Sequence, residues 1–291
     1  HHNRTEYGSC YLEKGKKYNI RLDFVQNNSE QAFIKMLWDV PCRDLLAEAV
    51  ELAKTSDVVI LAAGLSPLLE GEEMKVKVKG FKEGDRENIE LPDAQKQLID
   101  AISKTGKPVV LVLLNGSAIA FPAEAKKVDA IVEAWYPGQA GGAAVASVLW
   151  GDYNPAGRLP VTFYKSVNDL PAFDDYNMKG RTYRYFEGKP QYGFGYGLSY
   201  TSFKYSNLKL STTKLDKTGI EVKFDITNTG QRDGDEVCQL YLQQKGSKTV
   251  SLQGFERVNI AAGKTKTIRM KLSPEQIEDM TGERIDKISQ P

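Results

Sequence analysis

Residues 70–73 read Glu-Gly-Glu-Glu. Three carboxylates, Glu70, Glu72 and Glu73, fall within four residues, and a glycine loosens the backbone between them. The chemistry open to such a group is general acid/base catalysis, in which one carboxyl lends a proton to a leaving group. Crowded like charges raise the pKa of one member, which suits an acid that must hold its proton near neutrality. The competing reading is a solvated acidic loop. Position weighs toward chemistry, because the cluster follows directly on the apolar run "SDVVILAAGLS". Sheets of α/β proteins gather their ligands at the carboxyl ends of the strands. In the continuation "GFKEGDRENIELP", Asp85 and Arg86 are expected to pair and fix the loop.

The rest of the composition narrows the chemistry. The chain has 291 residues and only two histidines, His1 and His2. No imidazole is therefore available beyond residue 2 for Ser-His-Asp or Cys-His catalysis, nor for most catalytic zinc sites. Proton transfer falls to Asp, Glu, Lys or Tyr, with carboxylates first. Cys10, Cys42 and Cys238 are far apart and form no C-x-x-C pair, so they read as buried thiols rather than a disulfide framework or zinc cluster. A net charge of +1 makes no broad electrostatic case for nucleic acid or an anionic membrane. No apolar run approaches the ~20 residues of a membrane span, and no secretory leader pattern opens the chain. "LLNGSAIA" (113–120) follows a strand-like run but carries neither phosphate-binding glycine pattern. No metal or organic cofactor is implied.

The elements that must position the carboxylates follow from periodicity. Tyr18, Ile20, Leu22 and Phe24 alternate with polar residues. Phe33, Ile34, Met36 and Trp38 continue the pattern beyond a turn, which predicts an antiparallel hairpin. From Cys42 the pattern changes. "RDLLAEAVELAKTS" sets Leu45, Leu46, Ala49, Leu52 and Ala53 at helical spacing. "DVVILAAG" reads as a parallel strand buried on both faces. A second helix ("DAQKQLIDAISKTG"), two more strands ("KPVVLVLLNGSAIA" and "VDAIVEAWYPG") and a small-residue helix ("QAGGAAVASVLWG") follow. This alternation predicts an α/β layered domain with a mostly parallel sheet. Gly64–Glu73, Asn115–Ser117 and Trp135–Gln139 then all lie just after strands. Tyr153–Tyr200 is rich in Pro, Gly and aromatics and reads as an ordered connection lying on the domain surface. Tyr183, Tyr185, Tyr192, Phe194 and Tyr196 alternate with glycines there, which favours packing over a binding stripe. From Phe203 the alternation of Ile220, Val222, Phe224 and Ile226 and the strand-like runs after it predict a small β-sandwich. Trp135 and Tyr136 offer apolar faces on which a sugar ring could stack, with core packing as the alternative.

Four motifs, in order, give a further reading: "GLSPLLEGEEM…GFKEGDRENIELP", "AWYPGQAGGAAVASVLWGDYNPAGRLPVTF", "RTYRYFEGKPQYGFGYGLSYTSF" and "VKFDITNTGQRDGDEVCQLYL…LQGFERV". Together they resemble the C-terminal half of glycoside hydrolase family 3, the β-glucosidase and β-xylosidase group. The resemblance implies a three-layer α/β sandwich over residues 41–165, an aromatic and glycine-rich connection over 166–202, and a fibronectin type III-like domain over 203–291. Residues 1–40 resemble the closing strands of an inserted protective-antigen-like β-sandwich. The resemblance further implies a retaining enzyme acting on a β-linked oligosaccharide or an aryl or alkyl glycoside. Its general acid/base is a Glu of the 66–86 loop. Glu70 matches the first Glu of the family's E-x-E form, Glu72 is the second choice and Glu73 the third. The nucleophile Asp belongs to an N-terminal barrel that this sequence does not contain, so the missing barrel region is an expected partner and the isolated chain is expected to be inactive. A homodimer stays open, and the family context suggests a periplasmic or secreted enzyme.

Overall fold

The computed structural model describes residues 8–13, 15–23, 36, 43–70, 76–212, 219–243 and 248–277. Residues 1–44 form one compact unit and 45–291 a second. In the first unit, residues 16–23 form neither helix nor strand, and Tyr18, Ile20 and Leu22 are exposed. The rest of the expected hairpin, but for exposed Met36, lies outside the described residues. The alternation there meets no opposing sheet within the described part. Cys10 is exposed rather than buried, since it sits in a stretch with neither helix nor strand to pack it; Cys238 is buried as expected.

The second unit opens with helix α1 (Leu45–Lys54) and strand β1 (Val59–Gly64). A short hairpin, β2 (Phe81–Lys82) and β3 (Asp85–Arg86), precedes helix α2 (Asp93–Ser103). Strands β4 (Val109–Leu114) and β5 (Ala130–Glu133) and helix α3 (Gly141–Leu149) complete the layer. The sheet order is β1-β4-β5, and both pairings are parallel. Central β4 is the most enclosed strand, with Leu111 and Leu113 fully buried. Ile99 and Ile102 of α2 and Phe121 and Phe163 pack into the same core. Each such side chain contributes roughly 1.5–3 kcal/mol relative to exposure.

Two expectations need correction. β1 is an edge strand, so Ile60 and Ala62 face outward and only Leu61, Ala63 and Gly64 are buried. α1 presents Ala49, Val50 and Ala53 to the core, leaving Leu45, Leu46 and Leu52 exposed. Helical spacing identified the helix, but the small residues form its packed face.

The chain then runs through an aromatic connection. Its two arms hydrogen-bond through Leu159 N–H to the Tyr196 carbonyl (2.8 Å) and Phe163 N–H to the Tyr192 carbonyl (2.9 Å). Tyr183 stacks on Phe194 at 4.3 Å and Tyr192 on Tyr196 at 5.2 Å, so these rings serve packing. Five strands follow: β6 (Phe203–Leu210), β7 (Ile220–Asn228), β8 (Gly234–Gln243), β9 (Val250–Ile260) and β10 (Thr265–Leu272). They form antiparallel sheets of order β10-β7-β6 and β8-β9. Period-two burial places Val222, Phe224 and Ile226 against Cys238, Leu240 and Leu242.

A polar seam joins this sandwich to the α/β layer. Arg158 donates to Glu236 at 2.6 Å, Tyr205 donates to the same carboxylate at 2.8 Å, and both ionic side chains are nearly buried. Asn154 bonds the Asp233 carbonyl, the Ser199 hydroxyl and the Tyr200 N–H.

Two measurements check this account. Glu236→Ala leaves Arg158 buried without its counter-charge and should cost about 3 kcal/mol in denaturant unfolding. Gly64 has φ +123°, and a Cβ there would run into the Leu114 carbonyl. Gly64→Ala should therefore destabilise by more than about 1 kcal/mol in the same experiment.

Candidate functional site

Three parallel strands end side by side, and their following loops converge. At the end of β1, the Gln95 side chain from α2 bonds both the N–H and the carbonyl of Gly64 at 2.8 Å, as a strand partner would. Leu65 N–H continues the ladder to the Leu114 carbonyl at 2.7 Å. One turn later, Glu70 N–H bonds the Ser66 carbonyl at 3.1 Å, which carries the Glu70 side chain back over the sheet end.

There its two oxygens meet the other two loops. Ser117, after β4, donates its hydroxyl to Glu70 Oε1 at 2.6 Å. Tyr136, after β5, donates its hydroxyl to Glu70 Oε2 at 2.5 Å. Gly116 makes the approach feasible, since a Cβ there would stand 2.6 Å from the Tyr136 ring and 3.4 Å from Glu70 Oε2. Burial, and then the hydrogen bond to Glu70, push the Tyr136 hydroxyl up to about 12.

Arg86 closes the cluster from the β2–β3 hairpin. The hairpin turns at Glu83 and Gly84, both with positive φ (53° and 93°), as a tight two-residue turn requires. Arg86 donates to the Ser117 hydroxyl at 2.7 Å, to the Ala118 carbonyl at 3.1 Å and to the Asn88 carbonyl at 3.1 Å, and it lies 3.7 Å from Glu70 Oε1. Its Nη2 is buried with no hydrogen-bond partner among the described residues. Desolvation lowers its pKa, opposed by the charge of Glu70. The expected Asp85–Arg86 pair does not form. Asp85 lies across the hairpin from Lys82, while Arg86 serves the strand ends.

The structure thus brings Glu70 and Tyr136 together. Trp135 is directed elsewhere: its ring packs edge-on against Phe163 at 6.0 Å within the core. Glu72 and Glu73 lie outside the described residues. Sequence reasoning assigned no part in the cluster to Ser117 or Gly116 individually, although their place after β4 marked the position. It also passed over Glu133. The signal was a single carboxylate in the apolar strand "VDAIVEAWYPG". Burial pushes that carboxyl up to about 7, against the opposing influence of the Trp135 N–H and the Asn115 amide. No cluster of His, Cys, Asp and Glu suited to a metal ion occurs among the described residues, and none of their helices is long and apolar enough to cross a membrane.

A carboxylate at the rim of a parallel α/β layer, joined through an aromatic connection to a β-sandwich, defines the class. Residues 5–200 match the glycosyl hydrolase family 3 C-terminal domain, and residues 236–284 match a fibronectin type III-like domain. The chain belongs to glycoside hydrolase family 3, as part of its C-terminal region. It is 47% identical over 272 residues to a xylan 1,4-β-xylosidase from Xylanibacter ruminicola, covering 91% of this chain and 31% of that protein. It is 39% identical over 251 residues to a periplasmic β-glucosidase from Salmonella typhimurium, covering 80% and 32% respectively. The solved structure of β-glucosidase 3B from Thermotoga neapolitana in complex with glucose superposes with a TM-score of 0.69 at 31% identity, covering 84% of this chain and 36% of that one. The chain spans about a third of the length of these relatives.

Gly116→Ala should displace Tyr136 from Glu70. The Tyr136 titration would fall from about 12 toward the ordinary 10, as read by NMR of isotope-labelled tyrosine.

Proposed function

We propose that this chain is the acid/base-bearing part of a retaining exo-β-glycosidase that releases terminal β-D-glucosyl or β-D-xylosyl residues. The observation that carries this reading is a loop carboxylate held by hydroxyls from the two neighbouring strand ends, in a chain of family 3. The names of the relatives, one a β-xylosidase and one a β-glucosidase, support both sugars. In the first step the acid protonates the glycosidic oxygen while an Asp nucleophile attacks the anomeric carbon. In the second, the same carboxylate takes a proton from water, and that water cleaves the glycosyl–Asp ester. The two carboxyl groups must stand about 5–5.5 Å apart. The Asp lies on a barrel outside this sequence, so the isolated chain supplies half of the constellation and does not turn over glycosides. Tyr136, 39% exposed beside Glu70, is the aromatic available to meet a sugar; Trp135 supports it from the core.

Glu70 is the first choice for the acid/base by its place on the loop. A second reading gives the proton to Glu72 and makes Glu70 the anchor of the loop. The observation favouring it is that both Glu70 oxygens already accept hydrogen bonds. Kinetics of the full-length protein separate the two. The acid/base variant, Glu70→Gln or Glu72→Gln, should lose roughly 10²–10⁴-fold on glycosides with poor leaving groups, and far less on nitrophenyl glycosides. A non-catalytic carbohydrate-binding or scaffold role would appear as sugar binding without turnover in the full-length protein.

A further inference from the structure

Arg86 is a costly residue for the place it occupies. Its side chain is only 13% exposed, and its Nη2 is sealed from solvent without a hydrogen-bond partner among the described residues. A buried donor left unpaired destabilises the fold, and so does a charge drawn out of water. A neutral side chain could brace a short hairpin without either penalty. Departures of this kind concentrate at functional sites.

The remaining donors of Arg86 indicate what the guanidinium does. Nε donates to the Asn88 carbonyl at 3.1 Å, which ties the group to its own loop. Nη1 reaches more than thirty positions along the chain, to the Ser117 hydroxyl at 2.7 Å and the Ala118 carbonyl at 3.1 Å. Ser117 Oγ lies 2.6 Å from Glu70 Oε1. Nη1 itself stands 3.7 Å from that carboxylate oxygen, beyond hydrogen-bond length. Contact therefore runs through Ser117. Guanidinium carries only donors, and a serine hydroxyl has a single proton. Ser117 Oγ must accept from Arg86, and its own proton is turned away from the positive charge, toward the carboxylate. The order of donation is fixed, from Arg86 to Ser117 to Glu70.

We propose that Arg86 is a positioning residue for Glu70: by engaging the Ser117 hydroxyl and the Ala118 carbonyl together, it makes Ser117 a one-way donor that holds Oε1 in place. The catalytic consequence rests on the glycosidase reading with Glu70 as acid/base; the chain of contacts through Ser117 does not. Lysine cannot replace Arg86 here, because a single ammonium does not reproduce a planar fork that serves Asn88, Ser117 and Ala118 at once.

Arg86→Ala and Arg86→Lys in the full-length protein test this, assayed with and without guanidinium chloride at non-denaturing concentration. On alkyl β-xylosides or β-glucosides, whose leaving groups need a proton, kcat/KM should fall roughly ten- to hundred-fold in both variants. On nitrophenyl glycosides it should change little. Added guanidinium should restore Arg86→Ala, and should fail to restore it when Ser117→Ala is also present. Equal losses on the two kinds of substrate indicate a merely structural role and overturn the proposal. Wild-type rates in Arg86→Lys overturn it too, as does a rescue that does not need Ser117. Crystals of Arg86→Lys read the local arrangement without any substrate. Ser117 Oγ should draw away from Glu70 Oε1 beyond hydrogen-bond reach, and an unchanged contact overturns the proposal. Full activity of Glu70→Gln on alkyl glycosides defeats the acid/base reading of Glu70, and the crystal comparison still decides whether Arg86 places the Ser117 hydroxyl.

Discussion

The structure depends on three parallel strands ending at one level. Parallel pairing of β1 with β4 and of β4 with β5 sets Gly64, Leu114 and Glu133 along a single margin. Every loop that leaves this margin must share the space above it. Ser117 and Tyr136 lie 47 and 66 residues from Glu70 in sequence, yet the three meet because their strands are neighbours. Gly64 keeps the margin tight, since the β1 backbone passes against the Leu114 carbonyl where a side chain would not fit.

Above the sheet, polar groups are arranged in two tiers. The upper tier surrounds Glu70 with two hydroxyls and a guanidinium. The lower tier holds Glu133 and Asn115 in a sealed environment where an anion is poorly solvated. Ser117 connects them, offering its carbonyl to the lower tier and its hydroxyl to the upper. A carboxylate used for proton transfer needs this kind of support, because displacements of about 1 Å in a reacting group cost large factors in rate.

Much of this was legible in the sequence. Alternation of helical and strand-like runs marked the α/β layer, and the positions after its strands marked where Glu70, Ser117 and Tyr136 meet. Period two in Ile220, Val222, Phe224 and Ile226 marked the sandwich. What could not be read was neighbourhood. Periodicity identifies a helix without saying which face meets a partner, so the spacing grouped Leu45, Leu46 and Leu52 with Ala49 and Ala53, although only the two alanines and Val50 are packed. A hydrophobic run identifies a strand without saying whether it is central, so β1 was expected to be covered on both faces. Arg86 was paired with its sequence neighbour, because its actual partners, Ser117 and Ala118, are more than thirty positions away. The acid/base choice itself divides between Glu70 and Glu72, since spacing alone treats them alike.

The seam between the two layers has an evolutionary corollary. Asn154 and Arg158 on one side contact the backbone at Asp233 and the side chain of Glu236 on the other, with Tyr205 sharing that carboxylate. None of these residues touches the rim, so selection on chemistry does not see them directly. Drift at one must be answered at its counterpart, and homologous chains should therefore vary at Arg158 and Glu236 in concert while the outward faces of the sandwich diverge freely.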